Sequence, residues 1–286
     1  MELEDFADPW EHVRMLQDAA RNEAILGVLE AHAPGARVLE IGSGTGVFAC
    51  AAARLGAREV YAVELSETAD LVRALAEDNE LEQLEVLHGH LGEFTPRPVD
   101  LIVSELLNAD PFAEGLLETY DLARPWLAPG GRIFPSSLEI RLALVEDETP
   151  AEVRRARSQV AAMAQRFDLV CDRVDEFLHP EEPYRYLAPS VTTLGSAPLV
   201  TLDLLQPAPL PDMWKVEVRT LRRGRVGGAA VLFEAAMGAS TFQSGGHFGV
   251  LVQGFPEAID LPAGGAVHLE ATLDEERRFL LRPVAG

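Results

Sequence analysis

Over the first half of the chain, short apolar runs alternate with alanine-rich stretches of helical period. Arg37 to Ile41, Val60 to Val63 and Leu101 to Val103 read as buried strands, and Val86 to His88 as a shorter one. Stretches near 46–55 and 67–78 between them read as helices. This β/α alternation predicts a parallel sheet covered by helices. Ahead of it, Asp8-Pro9 has the form of a helix start, with Asp as N-cap and Pro in the first helical position. A helical region is expected through Met15, Leu16 and Arg21, and a second around Ala24 to Ala31. Pro111 to Leu122 predicts a further helix. Leu127-Ala-Pro-Gly-Gly131 predicts a turn leading into Arg132-Ile-Phe134.

After Phe134-Pro135 the texture changes. Leu138, Ile140, Leu142 and Leu144 alternate with Glu139 and Arg141, the period of a half-buried strand. Residues 150–178 are charged and helical. Short strands are expected near 214–221, 229–234, 247–252, 266–272 and 277–282, separated by Gly- and Pro-rich turns. That spacing suggests a small antiparallel sandwich or barrel. The reading is thus an α/β domain over residues 1–135 and a β domain over 136–286, with a helical insertion in the second.

Composition narrows the partners. With 286 residues, 48% of them hydrophobic, the chain can bury a sizeable core. A formal net charge of -22 argues against a nucleic-acid backbone as partner. It suits a cationic partner such as an arginine-rich peptide, and equally suits mere solubility. Two cysteines give no disulfide framework, and Cys50 reads as a small core residue rather than a nucleophile. The acidic start has no apolar run behind it, and no uncharged stretch is long enough to span a bilayer. The expected compartment is a reducing cytoplasm, with no membrane partner. No zinc-ligand spacing and no Ser-His-Asp arrangement is evident, so no metal is expected.

The chemistry centres on Val38-Leu39-Glu40-Ile41-Gly42-Ser43-Gly44-Thr45-Gly46. Gly42, Gly44 and Gly46 follow a strand and precede a helix, where glycine permits positive φ and close approach of a ligand to the backbone. The second strand ends in an acid, Glu64, placed to accept hydrogen bonds from ribose hydroxyls. Together these form an adenosine-cofactor signal. A dinucleotide fingerprint would put the third glycine one position later, where Val47 stands. The loop instead resembles motif I of the S-adenosylmethionine methyltransferases.

Four features narrow the family. Ser104-Glu105 and Glu114 flank a loop after the fourth predicted strand, where ligands sit in open α/β sheets. Two carboxylates there match a planar, five-donor guanidinium; alternatively Glu105 caps a helix and Glu114 is solvated. The others are His12-x-x-Met15-Leu16-x-Asp18-x-x-Arg21, Gly246-His247-Phe248, and Leu127-x-Pro-Gly-Gly131 followed by Phe134-Pro135. In this order they resemble the double-glutamate loop, the amino-terminal helix, the Thr-His-Trp loop and the end of the cofactor domain of the protein arginine N-methyltransferases. The likeness spans most of the chain, which looks like a compact, bacterial-like member.

The resemblance implies a Rossmann-like domain, a β-barrel domain and an inserted helical arm, about residues 150–187, that makes a homodimer. It also implies a cis peptide bond before Pro135. The implied activity is methyl transfer from S-adenosyl-L-methionine to a guanidino nitrogen of arginine in a protein or peptide. Glu105 and Glu114 would hold the guanidinium, and Asp18 and His247 would pair at the site wall. Arg21 would face the cofactor carboxylate, His12 and Met15 would line the pocket, Glu64 would take the ribose, and Leu91 and Glu93 would lie near the adenine. Departures from the family pattern include Phe6 for a tyrosine, Leu106 and Leu107 for Trp-Met, Asn108 for glycine, and Gly92 for an acid. Two alternatives follow: a methyltransferase for a small guanidino or amino compound, and a cofactor-binding dimeric pseudoenzyme scaffold.

Overall fold

The computed structural model describes residues 8–146, 151–174 and 185–284. The helical region before the sheet is two helices, α1 (Pro9–Gln17) and α2 (Ala19–His32). Asp18 separates them: its extended backbone ends α1, and its carboxylate accepts the Arg21 amide as the N-cap of α2. Capping chemistry thus divides a stretch whose apolar pattern reads as continuous. The alternation that follows is β1 (Arg37–Ile41), α3 (Val47–Arg54), β2 (Glu59–Glu64), α4 (Thr68–Asp78), β3 (Leu84–His88) and β4 (Val99–Ser104). Helix α5 (Leu116–Ala123) and β5 (Leu127–Phe134) complete the layer.

These five strands form one parallel sheet in the order β3-β2-β1-β4-β5. Leu39 and Ile102, central in β1 and β4, are fully buried, as expected for strands covered on both faces. The order reverses between β1 and β4, and that crevice beyond the strands' carboxyl ends is where open α/β sheets bind ligands. Residues 127–131 belong to β5 itself, with a register shift against β4 and Gly130 at φ 81°. The Phe134-Pro135 peptide bond is cis.

One prediction here needs correcting. Pro111 to Leu122 is not a single helix. Residues 109–110 are bends and 111–114 a turn, and α5 starts only at Leu116, behind Gly115 at φ 69°. The Asn108 side chain accepts the Asp110 amide at 2.9 Å, an Asx turn that competes with helix. Glu114 therefore stands on a turn, not on a helix face.

The remaining strands are antiparallel. They are β6 (Ser137–Glu146), β7 (Arg185–Ala188), β8 (Thr193–Asp203), β9 (Trp214–Arg219), β10 (Gly224–Met237), β11 (Ser240–Gln243), β12 (Val250–Leu261), β13 (Ala266–Leu273) and β14 (Phe279–Val284). One sheet runs β7-β12-β10-β6-β8 with β11 on β10, and a second runs β14-β13-β9. Strands β7 and β8 are absent from the sequence reading because their hydrophobic positions do not alternate cleanly. The helical insertion is α6 (Ala151–Phe167), with a short helical turn at 172–174. Of the predicted arm, residues 150 and 175–184 lie outside the described residues, as does Phe6, and residues 185–187 are not helical but belong to β7.

The chain forms two compact units. The first comprises the described residues up to Glu139 with Thr201–Pro209 and Phe233–His247; the second comprises the rest. The second has its own core, in which Ala143, Val145, Ala230, Val250 and Val252 pack together. All the candidate site residues belong to the first. Among the described residues no helix is long and apolar enough to cross a membrane.

Candidate active site

The glycine loop leaves β1 with Gly42, Gly44 and Gly46 all at positive φ (73°, 52° and 77°). Its surroundings explain why side chains are excluded. A Cβ on Gly46 would lie 2.6 Å from Val72 of α4, and one on Gly44 would lie 3.1 Å from the His12 ring. A Cβ on Gly42 would meet Leu106 at 2.9 Å, so this loop and the loop after β4 are in contact. His12 thus sits over the glycine loop. Met15, one turn along α1, is half-buried.

Glu64 ends β2 and is buried. One oxygen accepts the Gly44 amide at 2.7 Å; the other accepts the Ser66 amide at 2.8 Å and the Ser66 hydroxyl at 2.7 Å. The acid and the glycine loop are therefore one hydrogen-bonded unit. Lone pairs remain on Oε2 for a further donor. Leu91 is buried in a single 3-10 turn, Leu91–Glu93, after β3. The Glu93 carboxylate lies over Gly89, where a Cβ would meet it at 2.5 Å.

Glu105 follows β4. Its Oε1 accepts the Leu107 amide at 3.0 Å, and its Oε2 accepts Nε of Arg21 at 2.7 Å. Both side chains of this ion pair are under 10% exposed, at 9% and 7%. The Arg21 guanidinium also lies 5.5 Å from the Phe48 ring centroid and donates to Asn22. Glu114 stands near this pair, and its pKa is raised to about 8. Burial is the main cause and the charge of Glu105 adds to it, while a hydrogen bond from Asn108 and the charge of Arg21 oppose it.

Asp18 and His247 are brought together across 229 residues of sequence, with Nδ1 to Oδ2 at 2.9 Å. Gly246 makes the approach possible: at φ 59°, a Cβ there would lie 2.7 Å from the Asp18 carboxylate. Burial acts to raise the Asp18 pKa, but the hydrogen bonds from His247 and the Arg21 amide outweigh it and leave the carboxyl below its usual range.

Three groups were given no role in the site by the sequence. Glu40, in the middle of β1, is buried, and its pKa is pushed up to about 8 by that burial against the opposing charge of Arg21. Its Oε2 has no hydrogen-bond partner among the described residues. A charged residue inside a strand buried on both faces was the available signal. Phe48 left no signal, since a phenylalanine after a glycine loop is common, and Asn108 stood out only as a departure from the family pattern. No group of three His, Cys, Asp or Glu among the described residues could hold a metal ion.

Sequence and fold comparisons find methyltransferases similar to this chain. The family described as ribosomal protein L11 methyltransferase matches residues 23–149. An arginine N(omega)-methyltransferase of Streptomyces achromogenes subsp. streptozoticus is 30% identical over 238 residues, covering 80% of this chain and 64% of the relative. The histone-arginine methyltransferase CARMER of Drosophila ananassae is 37% identical over 114 residues, which are 39% of this chain and 22% of that protein. The chain thus spans less than two thirds of the length of these relatives. Arabidopsis thaliana protein arginine methyltransferase 10 superposes with a TM-score of 0.78 at 22% identity, covering 95% of this chain and 89% of its own. A chain of a Trypanosoma brucei arginine methyltransferase enzyme-prozyme heterotetramer with AdoHcy also gives 0.78, at 20% identity, with 98% and 95% coverage.

Proposed function

We propose that the chain is a member of the arginine methyltransferase family of S-adenosylmethionine-dependent methyltransferases, to which its relatives point, and that it methylates a guanidino nitrogen of arginine in a protein or peptide. The carrying observation is that Glu105 already holds a guanidinium, that of Arg21, in a buried ion pair near a second, half-buried carboxyl, Glu114. A site with this chemistry accepts an arginine side chain.

The residues present fit the methyl donor. The glycine loop turns at positive φ and donates its Gly44 amide to Glu64, whose carboxylate offers an acid for ribose at its side. His12, Met15, Leu91 and Glu93 complete the cofactor wall. Arg21, the one cation in the site among the described residues, suits a single carboxylate rather than a pyrophosphate. S-adenosyl-L-methionine, when bound, supplies an activated methyl group on its sulfonium. The protein's task is to position the acceptor and direct its charge. Guanidinium is a poor nucleophile because its lone pairs are delocalised. Glu105 and Glu114 draw positive charge toward two nitrogens and leave electron density on the third. The Asp18–His247 pair stands ready to take the proton released on transfer.

Incubation with arginine-rich peptides and radiolabelled cofactor, followed by mass spectrometry, tests the proposal. Methylarginine that disappears in Glu105→Gln supports it. Full activity of that variant sinks it, and negligible turnover on every acceptor favours the scaffold reading. A second reading is a small guanidino acceptor, favoured because the Streptomyces relative is named for arginine itself. In a host lysate, label on small molecules rather than protein bands would select it.

The same family reading makes residues 1–135 the cofactor domain and 136–286 the barrel domain of a cytoplasmic homodimer. Support for the arm comes from exposed Met163, Phe167, Leu169 and Val170 on and just after α6. Analytical ultracentrifugation of Phe167→Glu, expected to be monomeric, tests it.

A further inference from the structure

Three contacts hold the Arg21 guanidinium, and two of them lie in its N–H edge. Nε donates to Glu105 at 2.7 Å, and Nη1 donates to the Asn22 side chain at 3.1 Å. The third is made by a face: the guanidinium carbon lies over the Phe48 ring, 5.5 Å from its centroid. Arg21 is only 7% exposed, yet its Nη2 makes no hydrogen bond among the described residues. A buried guanidinium with an idle edge is set to receive an anion.

Phe48 reaches this place through the glycine turn. Gly46, at φ 77°, is the N-cap of α3 and packs so closely on Val72 that a Cβ would lie 2.6 Å away. That fixes the first turn of α3, whose second residue is Phe48. The two N–H bonds aim the guanidinium but leave it free to pivot about the line joining Glu105 and Asn22. A ring against its face stops that rotation, and the attraction of cation for ring is strongest where water is excluded. We propose that Phe48 is a positioning residue for the methyl donor, holding the Arg21 guanidinium so that Nε stays on Glu105 while Nη2 is left for the cofactor carboxylate. The proposal rests on the reading that Arg21 receives that carboxylate.

Two ligands isolate the carboxylate. S-adenosylhomocysteine carries it, and methylthioadenosine has the same adenosine and thioether without it. Their affinities are measured by calorimetry in wild type, Phe48→Leu, Phe48→Met and Phe48→Tyr. Leucine and methionine keep apolar bulk and lose the ring, whereas tyrosine keeps it. Loss of the ring should weaken S-adenosylhomocysteine about five- to tenfold in Phe48→Leu and Phe48→Met and leave methylthioadenosine unchanged. Phe48→Tyr should keep the wild-type ratio of the two affinities. In an Arg21→Gln background Phe48→Leu should no longer change that ratio, because the ring acts through Arg21. An equal loss for both ligands, or the same selective loss without Arg21, overturns the proposal. If wild type binds neither ligand, the cofactor reading fails and the proposal with it. If wild type binds both and Phe48→Leu leaves their ratio unchanged, only the role of Phe48 falls.

Discussion

The site has two acidic corners, one at the end of β2 and one in the loop after β4, and they are built in opposite ways. At the first, Glu64 receives three hydrogen bonds from the Gly44 amide and from Ser66, and it comes with its binding loop attached. At the second, Glu105 accepts the Arg21 guanidinium and the Leu107 amide, while Glu114 stands beside this pair with its pKa pushed up to about 8, chiefly by burial. A carboxylate satisfied by backbone amides is a fixed part of the scaffold. A carboxylate short of donors in a buried place gains most when a charged donor arrives. The first corner suits a neutral ribose, and the second suits a guanidinium.

The contrast can be broken most severely at the second corner. Glu105→Gln and Glu114→Gln should each lower kcat/KM by about a hundredfold or more, on the scale of losing a charge-stabilising group. Calorimetry with S-adenosylhomocysteine should find Glu114→Gln within a few-fold of wild type. If cofactor affinity collapses with activity, the two corners are not separable. At the first corner the reverse is expected: Glu64→Ala should weaken cofactor binding by about ten- to a hundredfold. An unchanged cofactor affinity would remove Glu64 from the cofactor site.

The pH profile sharpens the same comparison. Only ionised Glu114 can hold a guanidinium, so kcat/KM should rise with pH and level off above about 8. The limb should be absent from the cofactor affinity. A profile flat from pH 6 to 9 would mean that Glu114 is already ionised throughout.

Smaller effects concern stability. Asp18→Ala removes the α2 N-cap and should cost about 1 kcal/mol in denaturant unfolding, whereas Asp18→Asn keeps a capping oxygen and should cost less. Equal losses would show that the pairing with His247, not the cap, carries the cost. Glu40 is an acid whose pKa is raised in the folded protein to about 8 from an ordinary value of 4.5. Between those values the folded state holds a proton that the unfolded chain has released. The wild type should therefore lose stability relative to Glu40→Gln as pH rises through that window, then run parallel above it. Parallel melting curves across the whole range would mean that Glu40 is ionised in the fold.

Much of this was legible in the chain itself, for local reasons. A strand, a glycine turn, a helix and a strand ending in Glu64 are adjacent in sequence, so period and glycine placement reveal them. The parallel sheet follows from that alternation. Spacing alone left Glu105 and Glu114 open between a binding pair and a helix cap with a solvated neighbour. The predicted helix over Pro111 to Leu122 would have put Glu114 on a helix face. A single Asx turn at Asn108 decided otherwise, and propensity could not weigh that bond. Strands β7 and β8 escaped because their partners, not their own patterns, make them strands.

By itself, then, the sequence determined the parallel α/β layer and its glycine loop, because those depend on neighbours along the chain. Only the tertiary structure decided which charges meet. It set Arg21 on Glu105 across 84 positions and buried Glu40 within the sheet, and it brought Asp18 to His247 across 229, a meeting that only the family resemblance had implied. Charge pairing and desolvation are properties of groups close in space, and no spacing along the chain encodes them.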